Sequence, residues 1–319
     1  MSDFTYNLEG KRIWVAGHRG MVGSAVVRRL GDEPIGELIT VTSSELDLRR
    51  QAETEQFVAA KRPDVIVMAA AKVGGIHANR SAQGEFLYDN LMIASNIVEA
   101  ARVADVERTM ILGSSCIYPR EAEQPMAESA LLTGPLEPTN EGYAISKIAA
   151  LELAKMYRRQ YGMSAVSLMP TNLYGPNDNY DLETSHVLPA LLRKIHTAKK
   201  TGATEVPIWG SGRPRREFLH VDDLADAVVF SLTNYDGESH LNVGTGTDIS
   251  IAELAEQIAE VVGWDGEFVY DASMPDGTPR KLLDVSLLQG LGWSSSIGLA
   301  QGVAATYAEA TAEGGPLAN

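Results

Sequence analysis

The sequence predicts an α/β protein built on a doubly wound parallel sheet, with a smaller α/β domain towards the C-terminus. Three observations carry that prediction. Apolar runs short enough to be buried strands alternate with helical segments through the first half of the chain. A glycine-rich turn, Gly17-His18-Arg19-Gly20-Met21-Val22-Gly23, joins the first such run to the first helical segment. A later apolar run ends in Gly113-Ser114-Ser115-Cys116, and Tyr143 and Lys147 follow at i and i+4 in a segment that reads as helical.

Taken in order, Lys11 to Gly17 reads as the first strand, and an apolar-periodic helix runs on through Leu30. The turn between them is spaced G-x-x-G-x-x-G. Glycines there let the backbone approach a pyrophosphate seated on the helix N-terminus, which makes this a Rossmann-type nucleotide turn. The second strand, Glu37 to Val41, ends in Thr42-Ser43-Ser44, and Glu45 arrives late. An acidic residue at that strand end binds a ribose diol and favours NAD. Its absence, with Arg19 placed in the turn for a 2′-phosphate, predicts NADP. The third strand, Asp64 to Ala69, leads into a small-residue loop, 70–75, suited to lie against a cofactor. A long helix is expected from Ala82 to Ala104. Its Asn90 either bridges a strand end to the site or is a satisfied polar residue.

The next strand, Met110 to Gly113, leaves the Ser114 hydroxyl at its carboxyl end, where doubly wound sheets bind ligands. A loop rich in Pro, Glu and Gly, from Pro119 to Pro138, is expected to cover the site. A helix follows from Tyr143 to about Gln160, then a strand from Ala165 to Met169. The stretch from Pro170 to Pro176 reads as a turn, again at a strand's carboxyl end. Beyond it the pattern changes. A helix is predicted from His186 to Lys200, with Pro189 tolerated in its first turn. A short strand, Val206 to Trp209, precedes a basic run, Arg213, Arg215 and Arg216. Leu219 to Leu232 reads as a helix, His240 to Val243 as a strand, Ile251 to Val262 as a helix, and Glu313 onward as a loose tail. The implied division is 1–175 with about 219–245 as the nucleotide-binding domain, and 176–218 with 246–319 as the second.

A chain of 319 residues suits two domains and an ample core, and 45% hydrophobic with 22% charged residues is ordinary for a globular protein. The net charge of −15 argues against nucleic acid or an anionic membrane as partner. An anionic small molecule stays open where local basic groups collect it. One cysteine excludes an internal disulfide and fits a reducing compartment. Met1 to Gly10 shows no signal-peptide pattern, and the apolar stretch Val65 to Ala71 is far too short to span a bilayer. These features predict a cytoplasmic enzyme, and no metal ligands are expected.

The chemistry lies in the second motif. A phenol with a pKa of about 10 is a poor acid at neutral pH. A cation about 4 Å away at an effective dielectric near 20 is worth about 4 kcal/mol, an upper bound of roughly 3 pK units. On that arithmetic Lys147 makes Tyr143 a usable acid. Cys116, the sole thiol, stands two residues beyond Ser114 and suggests carbon-acid chemistry as well as hydride transfer. Singly, each feature has an ordinary structural reading: a small core cysteine, a surface histidine at a helix start, a solvated arginine face. Their combination favours a site, and clustered arginines beside Trp209 suit a diphosphate and a base.

At this point the chain resembles the extended short-chain dehydrogenase/reductase family, and within it the epimerase/reductases of GDP-linked 4-keto-6-deoxyhexoses. The resemblance runs from about Lys11 to about Tyr307. It rests on GHRGMVG, AAAKVGGI, LGSSCIYP, EPTNEGYAISK, MPTNLYGPNDNYD, SHVLPALL, WGSGRPRREFLHVDD and PDGTPRKLLD. YxxxK with an upstream serine is specific to the superfamily, and the added cysteine and SHV histidine to that branch. The resemblance implies a Rossmann domain that binds NADP(H) and a smaller domain that binds the GDP-sugar. It gives Ser114, Tyr143 and Lys147 to the reductase triad, and Cys116 and His186 to epimerisation as base and acid. The cofactor would be lined by Gly17, His18, Arg19, Gly20, Met21, Val22, Gly23, Lys147, Pro170, Thr171, Asn172, Leu173 and His186. Lys194, Trp209, Arg216, Asp276 and Lys281 would hold the GDP-sugar. One departure stands out: some members carry an arginine for the 2′-phosphate just after the second strand, where this chain has Ser43. The expected assembly is a homodimer through the helices of Ala82 and Tyr143. A 4,6-dehydratase would place an Asp-Glu pair where Ser115-Cys116 stands, and a simple 4-epimerase would need no thiol. A non-catalytic NADP sensor would not need Tyr143 and Lys147.

Overall fold

A computed structural model describes residues 4–274 and 276–318, apart from the side chains of Ile76 and His77. Met1 to Asp3 of the N-terminal segment, Pro275 of the PDGTPRKLLD stretch and Asn319 of the tail lie outside the described residues. The first half forms β1 (Arg12–Ala16), α1 (Met21–Leu30), β2 (Glu37–Ile39), α2 (Gln51–Lys61), β3 (Val65–Met68), α3 (Ile76–Ser81), α4 (Gln83–Val103) and β4 (Arg108–Leu112). After a 3-10 turn, Ser115–Ile117, come α5 (Glu141–Tyr161), β5 (Ala165–Pro170), β6 (Asn172–Tyr174), α6 (Val187–Thr201) and β7 (Glu205–Trp209). Next are β8 (Arg215–Arg216), β9 (Phe218–His220), α7 (Val221–Asn234), β10 (Leu241–Val243), β11 (Ile249–Ser250) and α8 (Ile251–Val262). The chain closes with β12 (Glu267–Asp271), β13 (Arg280–Lys281), α9 (Ser286–Gly290) and α10 (Leu299–Thr311).

Six strands form one parallel sheet in the order β10-β5-β4-β3-β1-β2. Strands buried on both faces need helices on both, and the two-residue period assigns the faces. Ile13, Val15, Val65, Val67, Met110 and Leu112 pack with Val26 and Leu30 of α1 and Leu224 and Val228 of α7. Their neighbours Trp14, Ile66, Met68 and Ile111 turn the other way, onto Val58 of α2, Ile97 and Val98 of α4 and Ala150 and Ala154 of α5. Strand order reverses at β1, so the ligand crevice of this topology opens at the carboxyl ends of β1, β3 and β4. A separate core joins Leu188, Leu192 and Ile195 of α6, Ile208 of β7, Leu254 and Ile258 of α8 and Val303 of α10.

Three expectations are corrected. Residues 170–176 are not a simple turn, because Asn172–Tyr174 pairs in parallel with Phe218–His220. The helix expected from Leu219 therefore begins at Val221, with His220 Nδ1 accepting from the Asp222 N–H at its N-terminus. The tail from Glu313 is not loose, since Leu317 is buried in the second core and its N–H donates to the Ala310 carbonyl at 2.8 Å. The loop from Pro119 to Pro138, expected over the site, is not loosely attached: Met126, Leu131 and Leu136 pack with Leu283 and Val285, while Pro119, Arg120 and Glu137 line the cavity beside Cys116 and Lys281.

Candidate active site

The glycine turn closes tightly onto the sheet. Gly17 has φ of +85°, and a Cβ there would lie 2.6 Å from the Ala70 nitrogen. A Cβ on Gly23 would lie 2.1 Å from the Gly17 carbonyl oxygen, so the start of α1 sits directly on the turn. Among the described residues no side chain caps α1 at Gly20, and the His18 Nδ1 atom of the same turn is buried without a partner. An uncapped helix N-terminus and an orphaned donor or acceptor fit an anionic phosphate group. Arg19, within the turn, and Ser43, after β2, are both exposed. Glu45 folds back to accept from Thr42 N–H at 2.9 Å and Thr42 Oγ1 at 2.6 Å. Those bonds, with Arg19 and His18 nearby, hold its carboxyl below the usual range.

The other wall of this crevice is built on a residue that sequence reading passed over. Glu217 is fully buried between β8 and β9. Its carbonyl accepts from Asn172 Nδ2 at 2.8 Å and Thr171 Oγ1 at 3.3 Å. One carboxylate oxygen accepts from Thr245 and Gly246 N–H, both at 2.7 Å, and the other from Leu283 N–H at 3.0 Å. Burial pushes its pKa up despite those donors. A single residue, through its backbone carbonyl on one side and its N–H and carboxylate on the other, thereby ties the Pro170-Thr171-Asn172-Leu173 segment to the stretch that carries Lys281 and Leu283. Asn90 does comparable work after β3: its Oδ1 accepts from Lys72 N–H at 2.7 Å and its Nδ2 donates to the Lys72 carbonyl at 3.0 Å.

At the end of β4 the chain turns through the 3-10 segment, and Ser114 Oγ accepts from the Cys116 N–H at 3.3 Å. This turns the cysteine sulfur towards α5 and β13. Asn140 Nδ2, at the N-terminus of α5, donates to Cys116 Sγ at 3.2 Å, and Lys281 Nζ stands 3.9 Å from the same sulfur. Tyr143 and Lys147 follow on one face of α5. Lys147 is buried and its Nζ donates to the Leu112 carbonyl at 2.8 Å, 5.7 Å from the centre of the Tyr143 ring.

That geometry corrects the expected acidification of Tyr143. Burial pushes the phenol above its ordinary value, negative charge at Cys116 adds to the rise, and only the Ser114 hydroxyl opposes it. Burial also lowers Lys147 to about 8. In the protein alone, then, Lys147 is held for its carbonyl and Tyr143 stays a protonated donor at every ordinary pH. A prediction follows for Lys147→Met. The native lysine binds fewer protons than the unfolded one between pH 8 and about 10.4, so its burial penalty is largest below that window and eases as pH rises through it. Relative to the methionine variant, the wild-type chain is expected to gain up to about 3 kcal/mol of stability from pH 7 to pH 10, read by urea unfolding. A flat difference would contradict the buried, charged lysine.

His186 stands exposed just before α6, where it makes no cap hydrogen bond. The protein atoms packed about its ring and then the Lys281 cation push its pKa down. Lys281 thus faces both Cys116 and His186. Of the three arginines, Arg216 lies in this pocket: it is desolvated, with Cys116 and Asp276 as its opposing charges, and Arg213 also acts on Asp276. Arg215 points away, paired with Asp248 at 2.8 Å and Glu253 at 3.2 Å. Asp276 accepts from Ser211 N–H at 2.6 Å and Ser211 Oγ at 2.8 Å. Further out, Lys194 Nζ donates to the Pro207 carbonyl at 3.1 Å and lies 5.4 Å from the centre of the exposed Trp209 indole.

A nucleotide turn and a Ser/Tyr/Lys set with an added thiol delimit the possible families sharply, and comparison decides among them. Residues 13–244 match the NAD dependent epimerase/dehydratase family. GDP-L-fucose synthase 1 of Arabidopsis thaliana is 54% identical over 296 residues, covering 93% of this chain and 92% of the plant protein. The chain belongs to the GDP-L-fucose synthase family. The GDP-L-fucose synthase of Escherichia coli strain K12 is 53% identical over 306 residues, covering 93% and 95% of the two chains. Among solved structures, a GDP-L-fucose synthetase from Naegleria fowleri bound to NADP superposes with a TM-score of 0.87 at 29% identity, covering 96% of each chain. The parallel sheet and its crevice are therefore the architecture of this family.

Proposed function

We propose that this enzyme uses NADPH to convert GDP-4-keto-6-deoxy-D-mannose to GDP-L-fucose, by inversion at C3 and C5 followed by reduction at C4. The observation that carries the reading is the meeting of Cys116 Sγ with Asn140 and Lys281 in one pocket with Tyr143, in a chain of the GDP-L-fucose synthase family. C3–H and C5–H are acidic because each flanks the C4 ketone. Removing either proton moves negative charge onto the ketone oxygen, where the Ser114 and Tyr143 hydroxyls can donate. The Cys116 sulfur takes the proton from carbon on one face, and His186 returns one on the other. A diphosphate held by Arg216 and Lys281 neutralises the cation that helps depress His186, so substrate binding favours the charged imidazole.

The glycine turn, Arg19, Ser43, Lys147, the 170–173 segment and His186 hold NADP, whose reduced form supplies the hydride for C4. Tyr143 protonates the resulting alkoxide, and Lys147 orients the nicotinamide ribose. Lys194 and Trp209 hold the guanosine end, with Arg216, Asp276 and Lys281 nearer the sugar. The separate core of α6, β7, α8 and α10 supports a smaller domain drawn from 176–218 and 246–319, beside a nucleotide-binding domain of 1–175 with about 219–245, although Leu288 and Trp293 pack with the sheet core. Apolar side chains exposed on α4 and α5, Tyr88, Ile145 and Met156, support a homodimer through those helices. A lone cysteine, and no helix among the described residues long and apolar enough to cross a membrane, support a cytoplasmic setting.

The test mixes purified protein, NADPH and GDP-4-keto-6-deoxymannose. Cofactor oxidation and a product inverted at C3 and C5 are expected, and a product with unchanged C3 and C5 stereochemistry would overturn the reading. His186→Asn in parallel is expected to slow product formation about 100-fold or more. An undiminished rate would remove the imidazole from proton return.

A further inference from the structure

We propose that Asn140 is the positioning residue of the epimerisation half-reaction: its amide fixes the Cys116 sulfur and stabilises negative charge on it. This rests on the reading of Cys116 as the carbon-acid base. The amide nitrogen donates to Sγ at 3.2 Å, while the amide oxygen is buried without a partner among the described residues. Asn140 sits at the N-terminus of α5, one turn before Tyr143, but its side chain makes no cap hydrogen bond to that helix. Its amide is thus not spent on helix ends. What it holds is the sulfur, reached across 24 residues of chain.

An amide suits a group that gains and loses a proton. A thiolate accepts from N–H; once the sulfur has taken a proton from substrate carbon, the new S–H can donate to the amide oxygen after a rotation of the amide plane. The bond count stays whole: the C–H bond breaks, the S–H bond forms, and the electron pair of the C–H bond passes to the ketone oxygen. Because Asn140, Tyr143 and Lys147 share one helix, this amide also sets the spacing between the base and the hydroxyl that stabilises the oxyanion. Lys281, 3.9 Å from the sulfur, supplies charge without a fork or plane and cannot define that orientation.

The test reads the thiolate directly. The rate of Cys116 alkylation by iodoacetamide is measured against pH in wild type, Asn140→Ala and Asn140→Asp, without cofactor or substrate. Loss of the donor is expected to raise the midpoint by about one unit, and a carboxylate in its place to raise it further. Solvent-deuterium exchange into C3 and C5 of the 4-keto sugar is expected to fall about tenfold or more in Asn140→Ala, and further in Asn140→Asp. Circular dichroism and thermal unfolding establish that the variants fold. Unchanged midpoints in folded variants overturn the proposal. If the midpoints move but wild type shows no exchange at C3 or C5, the amide's hold on the sulfur stands while the epimerase reading fails.

Discussion

Cys116→Ser is expected to abolish deuterium incorporation from solvent at C3 and C5 and to stop formation of the L-configured product. A serine hydroxyl, with an alcohol's high pKa, offers no significant anion at neutral pH, whereas a free thiol has a pKa of about 8.5 and carries a usable thiolate fraction. The substitution exchanges one atom and leaves the Asn140 donor and the Ser114 turn in place. Its effect is therefore on proton transfer rather than on fold. General-base removal costs about two to four orders of magnitude, and the exchange rate measured by mass spectrometry or NMR should fall by at least that much. The C4 ketone remains a hydride acceptor in this variant, so slow NADPH oxidation to products with unchanged C3 and C5 is expected. Exchange at the wild-type rate would remove the sulfur from the mechanism.

Tyr143→Phe is the second large effect. The phenol is proposed to serve two oxyanions, the enolate of epimerisation and the alkoxide of reduction. Burial holds it protonated at neutral pH, so it is a donor in both steps. Phenylalanine fills nearly the same volume with no donor. Loss of one preorganised donor costs about 10²–10³ in rate, and loss of the proton source adds to it. NADPH oxidation is expected to fall at least 1,000-fold with NADPH affinity unchanged by fluorescence titration. Deuterium exchange at C3 should fall as well, by about 100-fold. If exchange persists at full rate while reduction is lost, the two reactions do not share an oxyanion site. The raised phenol also means that any alkaline fall in rate below pH 10 belongs to another group, and Lys147, at about 8, is the nearest one.

The strands of the nucleotide-binding sheet were legible because burial on both faces leaves a continuous apolar run, which local sequence records directly. Phe218–His220 escaped for the opposite reason. Three residues running straight into a helix look like its first turn, and only pairing with Asn172–Tyr174 makes them a strand. Leu317 misled in the same way. A single leucine in a Gly- and Pro-rich tail carries no period, yet it finds a seat in the second core. The distance assumed between Lys147 and Tyr143 followed from helical spacing alone. The Leu112 carbonyl, on a different element, takes the ammonium instead.

The sequence by itself determined the glycine turn, the Ser114 strand end and the Tyr143–Lys147 spacing. Each is a short-range pattern, set by backbone conformation and helical or strand period within a few residues. Only the tertiary structure decided that Arg216 and not Arg215 faces the thiol, that Glu217 binds the two walls of the crevice together, and that Asn140 and Lys281 meet at Cys116. The last of these contacts spans 165 residues. Contacts of that range are fixed by how separately folded layers pack, and no local periodicity encodes which side chain faces which.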